Sequence, residues 1–174
     1  SSTWRFSKVK TPVVASLIQA EEAIKASGLD YTLLRPTMIY GPGDDHNISR
    51  LREFIKRRPI MPVFGSGEQH VQPVFVSDVA RAAVDAVFCN EAIVQAFELA
   101  GADALTYNDM LNTLSESMGR FLLKVHVPIS VGLVLAILGN RLFSRFPIQE
   151  DQVRRMKEDR AFDISEAKKI LEFE

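Results

Sequence analysis

The sequence has little cysteine, no excess of charge of either sign and no long apolar run. Its one cysteine, Cys89, excludes an internal disulfide and a cysteine-rich zinc site, and is typical of a reducing, cytoplasmic setting. The 21 basic and 22 acidic residues leave a net charge of −1, without the clustered cations that nucleic-acid binding needs. With 47% hydrophobic and 25% charged residues, the 174-residue chain is predicted to fold around a sizeable core.

The longest apolar run, residues 127–138, is shorter than the roughly 20 residues that a membrane-spanning helix needs. We expect it to pack inside the protein or to lie at a surface groove rather than to contact a membrane. The chain begins with Ser1-Ser-Thr-Trp4 and lacks the charged and then apolar pattern of a signal peptide. This start predicts that the sequence begins in the middle of a larger protein.

The first forty residues predict a helix followed by a buried strand. Thr11-Pro12 is typical of a helix start, and Gly28 is typical of a helix end. Between them apolar residues recur at helical spacing, which leaves Glu21, Glu22 and Lys25 on the outer face. The β-rich run Asp30–Arg35 then predicts a buried strand. Such a helix, tight turn and strand form the αβ half of a parallel-sheet unit.

Helical and strand patterns continue to alternate, and without a repeat or a low-complexity linker we treat the chain as one mixed α/β unit. The predicted helices are Ile48–Arg58, one capped by Ser77-Asp78, one opened by Thr106, Gln149–Arg160 and Ser165–Leu171. The predicted strands are Ile60–Phe64 and Val71–Val76, on either side of the turn Gly65-Ser-Gly67, followed by Ala96–Leu99 and Phe121–Val127.

The segment after the first predicted strand is the strongest candidate for a binding site. Ligands of open α/β sheets bind beyond the carboxyl ends of the strands, and Pro36–Ile39 occupies that place. Pro36 fixes the chain direction and removes a donor, which suits a flat wall against a planar ring. On these residues alone, a strand followed by a structural turn is an equally open interpretation.

Three segments carry a family resemblance. Leu34-Arg-Pro-x-x-x-Tyr-Gly-Pro42 resembles the post-strand signature of extended and atypical short-chain dehydrogenase/reductases. The segment Gly65–Ala80 is similar to the hairpin and helix start of that family, and Asp163–Leu171 is similar to its usual ending. The residues around Gln72-Pro73 most resemble those of the atypical branch of the family, which includes NmrA-like proteins and the NAD(P)-binding accessory subunit of respiratory complex I.

The resemblance implies a Rossmann-type fold that binds NAD or NADP through a glycine-rich loop after its first strand. That loop is absent, since Gly41-Pro-Gly43 and Gly65-Ser-Gly67 lack its spacing. The resemblance therefore implies the C-terminal half of such a protein. Sheet elements are expected at about 1–40 and 71–100, with a small mixed α/β substrate lobe at about 41–70 and 101–174.

The resemblance also implies which residues act. In the family a Ser or Thr hydroxyl, a tyrosine and a lysine cooperate in proton transfer. Ser2 or Thr3 falls at the hydroxyl position, whereas Val13 and Leu17 fall where tyrosine and lysine are expected. Two hypotheses follow: an oxidoreductase or nucleoside-diphosphate-sugar epimerase/dehydratase with a displaced catalytic pair, and a non-catalytic NAD(P)-sensing or scaffold subunit.

In the same resemblance, Pro36, Thr37, Met38 and Ile39 form the wall on the nicotinamide side of the cofactor. A sugar-nucleotide or other small-molecule substrate is expected at the hairpin. The substrate-binding candidates are Asn47, Gln69, His70 and Gln72.

Other polar groups are expected to be structural. Asp44-Asp45-His46 is interpreted as a helix cap rather than a metal site, and Lys56-Arg-Arg58 as the complement of a helix C-terminus. His126 is expected in the core, and Cys89 is expected to be inert. A sheet that lacks its first strands exposes an edge, which predicts self-association into a homo-oligomer.

Overall fold

A computed structural model describes residues 1–43, 47–142 and 148–173. The chain divides into two compact units. Unit 1 comprises Ser1–Asn47, Gln72–Ala104 and Ala161–Glu174, and unit 2 comprises Ile48–Val71 and Leu105–Arg160. Both combine helices with parallel strand pairs, which confirms the predicted mixed α/β class.

Unit 1 begins with the predicted αβ arrangement. Helix α1 (Pro12–Ala26) starts where the Thr11 hydroxyl accepts a hydrogen bond from the Val14 backbone N–H at 3.3 Å. Gly28 follows the end of α1 with a φ of +72°, which favours glycine. Strand β1 (Thr32–Pro36) then pairs in parallel with β6 (Gln95–Leu99), its only strand partner among the described residues.

The rest of unit 1 packs around this pair. Strand β2 (Ile39–Tyr40) pairs in parallel with β5 (Val74–Phe75). The helical elements are a 3₁₀ turn at Thr3–Phe6, α3 (Val76–Phe88), a 3₁₀ turn at Asn90–Ala92 and α7 (Ser165–Leu171). The buried core draws on β5, α3, β6 and the C-terminal segment, and includes Val74, Ala82, Phe97, Leu99, Ile164, Leu171 and Phe173.

The start of α3 corrects one expectation. Ser77 and Asp78 lie inside its first turn and do not cap it, because Phe75 is the N-cap and forms no side-chain hydrogen bond there. Asp78 still places a negative charge in the first turn, where the helix dipole favours it.

Unit 2 contains two strand pairs and four helices within the described ranges. Strand β3 (Ile60–Phe64) pairs in parallel with β8 (Leu123–Val127), and β4 (His70–Val71) pairs antiparallel with β7 (Leu105–Thr106). The helices are α2 (Ile48–Arg57), α4 (Tyr107–Ser117), α5 (Ile129–Leu142) and α6 (Glu150–Arg155). A core of Ile55, Met61, Val63 and Leu111 lies between α2, β3 and α4.

The expectation of a hairpin around Gly65-Ser-Gly67 is wrong. Strand β3 extends its ladder to β8 instead, since the Gly65 backbone N–H donates to the Val127 carbonyl at 2.8 Å. The turn leads the chain to β4, which finds its partner in β7. Two-residue strands have no long apolar alternation, so their partners could not be identified from the pattern.

The apolar run 127–138 forms most of α5, which is buried on one face only. Gly132, Ala136 and Gly139 face the interior, and a Cβ at Gly132 would lie 2.5 Å from the Phe64 ring. The opposite face is exposed, in part contrary to expectation, at Val131, Val134, Leu135, Leu138 and Leu142. No helix in the described ranges is both long and apolar enough to cross a membrane.

Candidate functional site

The carboxyl ends of β1 and β6 form the candidate site in unit 1. Because the two strands are parallel, both ends reach the same edge, with Pro36 opposite Leu99. The backbone N–H of Thr37 continues the ladder and donates to the Leu99 carbonyl at 2.9 Å. The predicted wall Pro36–Ile39 therefore begins where ligands of parallel sheets bind.

Ser2 and Thr3 lie against this wall. The Thr3 hydroxyl donates to the Pro36 carbonyl at 3.2 Å, and the Ser2 hydroxyl donates to the same oxygen at 3.4 Å. Ser2 also caps the 3₁₀ turn by accepting from the Trp4 backbone N–H at 3.3 Å. The structure thus brings both candidate catalytic hydroxyls to the first residue of the candidate cofactor wall, where Thr3 is buried and Ser2 is half-buried.

Gln72 ties three loops together beside the wall. Its backbone carbonyl accepts from the Thr37 hydroxyl, and its Nε2 donates to the Gly101 carbonyl at 2.6 Å. Its Oε1 accepts from the Phe162 backbone N–H at 2.9 Å. With 5% of its surface exposed and both ends of its amide bonded, Gln72 is engaged by the protein itself.

Close backbone approaches hold the same edge in place. A Cβ at Gly101 would lie 2.3 Å from the Pro73 carbonyl oxygen, so any side chain there would push the two loops apart. A Cβ at Gly41 would likewise lie 2.4 Å from Val76 Cγ1. Only glycine allows these contacts without a shift.

The residues present fit one end of a dinucleotide. Met38 and Ile39 are half-buried and apolar, and the Met38 carbonyl accepts from the Val74 backbone N–H at 3.0 Å. They offer a planar ring an apolar surface whose backbone is already hydrogen-bonded. The phosphates are a different matter, because the sequence contains no glycine-rich strand-to-helix loop to bind them.

Two positions of helix α1 carry no proton-transfer group. Val13 is 57% exposed and Leu17 is half-buried, and neither side chain carries an ionisable group. At the two positions where the resemblance expects tyrosine and lysine, the chain therefore has only aliphatic groups.

A cluster of charged side chains lies behind the wall, and the sequence pattern missed it. Glu21 is 1% exposed, not on the outer face, and accepts two hydrogen bonds from Arg35, at 2.9 Å from Nε and 2.7 Å from Nη2. Arg35 Nη1 also donates to Glu98 at 2.9 Å, and Glu21 pairs with Arg5. The Phe6 ring lies about 5.5 Å from both guanidinium groups.

One signal could have revealed this cluster. Arg35 interrupts an otherwise apolar strand, and a buried guanidinium requires carboxylate partners. Its register partner on β6 is Glu98, and α1 supplies Glu21. The cluster fixes the residue directly before Pro36 and so supports the start of the wall.

The remaining substrate-binding candidates are placed elsewhere. Asn47 is exposed directly before α2. Gln69 and His70 belong to unit 2, where the His70 backbone N–H and Nδ1 both contact Asp159 Oδ1, at 2.8 and 2.9 Å. Gln69 Nε2 is buried without a hydrogen-bond partner in the described structure.

The other polar candidates have structural partners where they are described. Lys56 and Arg57 pair with Glu53, whose pKa is lowered mainly by the hydrogen bond from Lys56. His126 is exposed rather than in the core, and its Nε2 lies 3.2 Å from Asn108 Oδ1. The segment 44–46 lies outside the described residues. Within those residues no three His, Cys, Asp or Glu side chains are grouped to hold a metal.

Comparisons with known proteins match this architecture. The sequence pattern of the NAD dependent epimerase/dehydratase family matches residues 14–98. The chain is 26% identical over 137 residues to NADH dehydrogenase [ubiquinone] 1 alpha subcomplex subunit 9, mitochondrial, of Arabidopsis thaliana, covering 77% of this chain and 34% of that protein. It is 30% identical over 107 residues to the ceramide reductase of Caulobacter vibrioides, covering 60% of this chain and 32% of that protein.

Solved structures show the same fold at low identity. UDP-glucuronic acid 4-epimerase from Bacillus cereus, in complex with NAD, superposes with a TM-score of 0.69 at 17% identity, over 100% of this chain and 54% of the epimerase. UDP-glucose 4-epimerase from Thermotoga maritima, with UDP-glucose, gives 0.63 at 23% identity, over 92% and 45% of the two chains.

The chain thus spans about a third of these curated relatives and about half of these solved structures. The first two of the three motifs noted in the sequence, and the parallel strand pair, lie within the residues or at the edge of the residues that the family match covers. The resemblance is confirmed for the matched part of the chain: residues 14–98 match the NAD dependent epimerase/dehydratase family.

Proposed function

We propose that this protein binds NAD or NADP with Pro36–Ile39 against the nicotinamide ring. The observation that carries the proposal is the edge where β1 and β6 end together, with a largely apolar wall whose Thr37 N–H and Met38 carbonyl are hydrogen-bonded. When bound, the cofactor would supply hydride transfer. The residues of this chain would position the ring and exclude water from it, while phosphate binding would need a loop that this sequence does not contain.

For the substrate we propose a nucleoside diphosphate sugar, or another small molecule that the protein oxidises or reduces. The family match and the UDP-sugar epimerases among the structural relatives support the first. The ceramide reductase among the curated relatives supports the second. In either case the Ser2 or Thr3 hydroxyl would orient the substrate oxygen near the ring. A homo-oligomer in a reducing compartment such as the cytoplasm belongs to the same proposal.

A second candidate function is a non-catalytic NAD(P)-binding or scaffold subunit. The observation that favours it is the pair Val13 and Leu17 on α1, because neither side chain transfers a proton. The mitochondrial NADH dehydrogenase subunit among the relatives points the same way.

Binding and turnover separate the two candidates. Calorimetry with NAD, NADH, NADP and NADPH, on the protein as its gene encodes it, should give saturable binding. Met38→Glu should weaken that binding by about tenfold or more, because it puts a carboxylate against the ring; Met156→Glu in unit 2 is the matched control.

Unchanged affinity of Met38→Glu would contradict the placement of the cofactor. Oxidation of NADH or NADPH with a carbonyl or sugar-nucleotide substrate would establish an enzyme. Tight binding with no turnover across a broad substrate panel would establish the non-catalytic candidate. We expect the 174 residues alone to bind the cofactor poorly, and micromolar binding by them would contradict this expectation.

A further inference from the structure

A cleft of mixed apolar and acidic lining lies in unit 1 between the end of α3 and the end of α7, and the proposed function does not use it. Its volume is about 330 Å³. The lining is formed by Asp85, Phe88, Cys89, Glu91, Ile170, Leu171 and Glu172. None of these residues belongs to the wall at Pro36–Ile39, so the cleft is a separate feature of the unit.

The apolar surface continues outward from the cleft along α3. Phe88 is 82% exposed, Val87 is 76% exposed and Val84 is 57% exposed. Single exposed apolar residues are ordinary, but a contiguous group beside a concave surface is typical of an interaction site. An exposed phenylalanine next to a cleft is also the kind of residue that contributes most to protein–protein binding.

The charged residues that line the cleft are all acidic, although Lys168 and Lys169 precede the lining segment on α7. Asp85, Glu91 and Glu172 all line it, and no described basic side chain lies within ion-pair distance of any of the three. Three carboxylates that line one cleft, with no ion pair to any of them in the described part of the chain, disfavour phosphate-bearing ligands such as a dinucleotide or a sugar nucleotide. They favour a cationic occupant.

We propose that this cleft binds a basic segment of another protein, with one apolar side chain seated on Phe88, Ile170 and Leu171 and flanking Lys or Arg side chains paired with the carboxylates. The volume is at the lower limit of the roughly 300–1,000 Å³ typical of small-molecule sites, and so suits one or two side chains. The exposed apolar surface along α3 is wider than a small amine would cover.

The thiol of Cys89 provides a built-in reporter. Its Sγ donates to the Ile170 carbonyl at 3.4 Å and lies 3.5 Å from Glu91 Oε2, so it forms part of the wall of the cleft. It is the only cysteine in the sequence. The rate at which a neutral reagent alkylates the protein therefore measures access to this cleft.

The first experiment measures alkylation of the protein by iodoacetamide, followed by mass spectrometry, with and without a short peptide that alternates lysine with leucine. We expect the peptide to slow alkylation by about threefold or more at saturation, and salt at about 1 M to remove the effect by screening. A peptide that alternates glutamate with leucine should leave the rate unchanged. Equal protection by both peptides, or by neither, would overturn the proposal.

The second experiment uses variants on the exposed surface, where folding is not at risk. Phe88→Ala should weaken binding of the fluorescently labelled lysine–leucine peptide by about tenfold, whereas Phe121→Ala, at an equally exposed phenylalanine in unit 2, should not. The double variant Asp85→Asn/Glu172→Gln should weaken it by about fivefold, since exposed ion pairs contribute modestly. Glu166→Gln, an exposed acid outside the cleft, is the charge control.

Other occupants are distinguishable outcomes. If the protein alone protects Cys89 in a concentration-dependent way and sediments as a dimer, a second copy fills the cleft and the proposal is wrong. Protection by vesicles of phosphatidylcholine in place of the peptide would likewise overturn it. Circular dichroism of each variant confirms that the lost binding does not come from lost structure.

Discussion

Behind β1, unit 1 buries charged side chains, whereas one face of α5 in unit 2 leaves apolar side chains in solvent. Behind β1, the carboxylate of Glu21 and the guanidinium of Arg35 are almost fully enclosed. On α5 of unit 2, by contrast, Leu135 and Leu138 are each about half exposed. The difference teaches that composition alone does not decide burial: a charged group can be buried where its partners are in register, and an apolar face stays exposed where nothing packs on it.

The largest effect is expected from breaking the buried pair. Arg35→Met should lower the free energy of unfolding by about 3 kcal/mol, because it removes the two hydrogen bonds that Arg35 donates to the buried Glu21 carboxylate and leaves that carboxylate paired with Arg5. Urea denaturation followed by circular dichroism measures the change. Arg154→Met removes an exposed pair with Glu150 and should cost less than about 1 kcal/mol.

Equal losses of unfolding free energy in the two arginine variants would show that the buried pair stabilises the protein no more than the exposed pair does. The double variant Glu21→Gln/Arg35→Met should recover part of the stability, since it removes the Glu21 carboxylate as well as the Arg35 guanidinium that pairs with it.

The threonine N-caps of α4 in unit 2 and α1 in unit 1 should stabilise their units by similar amounts. The Thr106 hydroxyl accepts from the Asp109 backbone N–H at 3.0 Å at the start of α4, as Thr11 does for Val14 at the start of α1. Thr106→Ala and Thr11→Ala should each destabilise their unit by about 1 kcal/mol. Fluorescence of Trp4, the only tryptophan, reports on unit 1 and circular dichroism on both. Serine at either position should restore most of the loss; failure of serine to do so would show that the hydroxyl is not what matters.

Unit 2 should also weaken at high pH through the half-buried phenol of Tyr107. Burial raises the pKa of Tyr107 above the ordinary value of 10.0, because the ionised form is disfavoured away from water. The folded protein therefore holds this proton more tightly than the unfolded chain does. The corresponding stability is present below about pH 10 and is lost as the pH rises through the folded-state pKa, by at most about 1.4 kcal/mol for each pH unit.

In Tyr107→Phe, the urea concentration at the unfolding midpoint should fall less between about pH 9 and pH 11 than it does in the unchanged protein. Tyr40→Phe, at an exposed tyrosine of unit 1, is the matched control. An unchanged pH dependence in Tyr107→Phe would show that other groups cause the loss.

The smallest effect is expected on the exposed face of α5. Leu138→Lys should change the free energy of unfolding by no more than about 0.5 kcal/mol, while reducing any self-association through this face. Ala136→Lys, on the buried face of the same helix, should instead unfold unit 2. Light scattering and thermal melts measure the two responses. Strong destabilisation by Leu138→Lys would mean that this face is packed after all.

Local patterns predicted most elements of both units. The Thr11-Pro12 start, the Gly28 end and the parallel strand at 32–36 all depend on neighbouring residues, so a short window contains what determines them. The position of Pro36–Ile39 at the carboxyl end of a parallel strand was predictable because it follows directly from the strand pattern, whereas its role as a cofactor wall stays a prediction.

What could not be predicted depends on contacts between distant residues. Glu21 has helical spacing suited to solvent, and only its bond to Arg35 explains its burial. The pairing of β3 with β8 joins segments about sixty residues apart, so no turn sequence between them predicts it. Substrate binding by Gln72 stays a prediction, and the sequence did not indicate that its amide bridges Gly101 and Phe162.

The contact between Gly101 and the Pro73 carbonyl affects how variants of this protein should be interpreted. A Cβ 2.3 Å from that oxygen would displace one loop from another, so even alanine at this position would misalign the strand ends. Loss of activity there would look like the removal of a contact to the ligand, although glycine has no side chain to make one. Gly101 is better treated as a packing residue than as a binding residue. A library that randomises the residues around the ends of β1 and β6 should leave it unchanged.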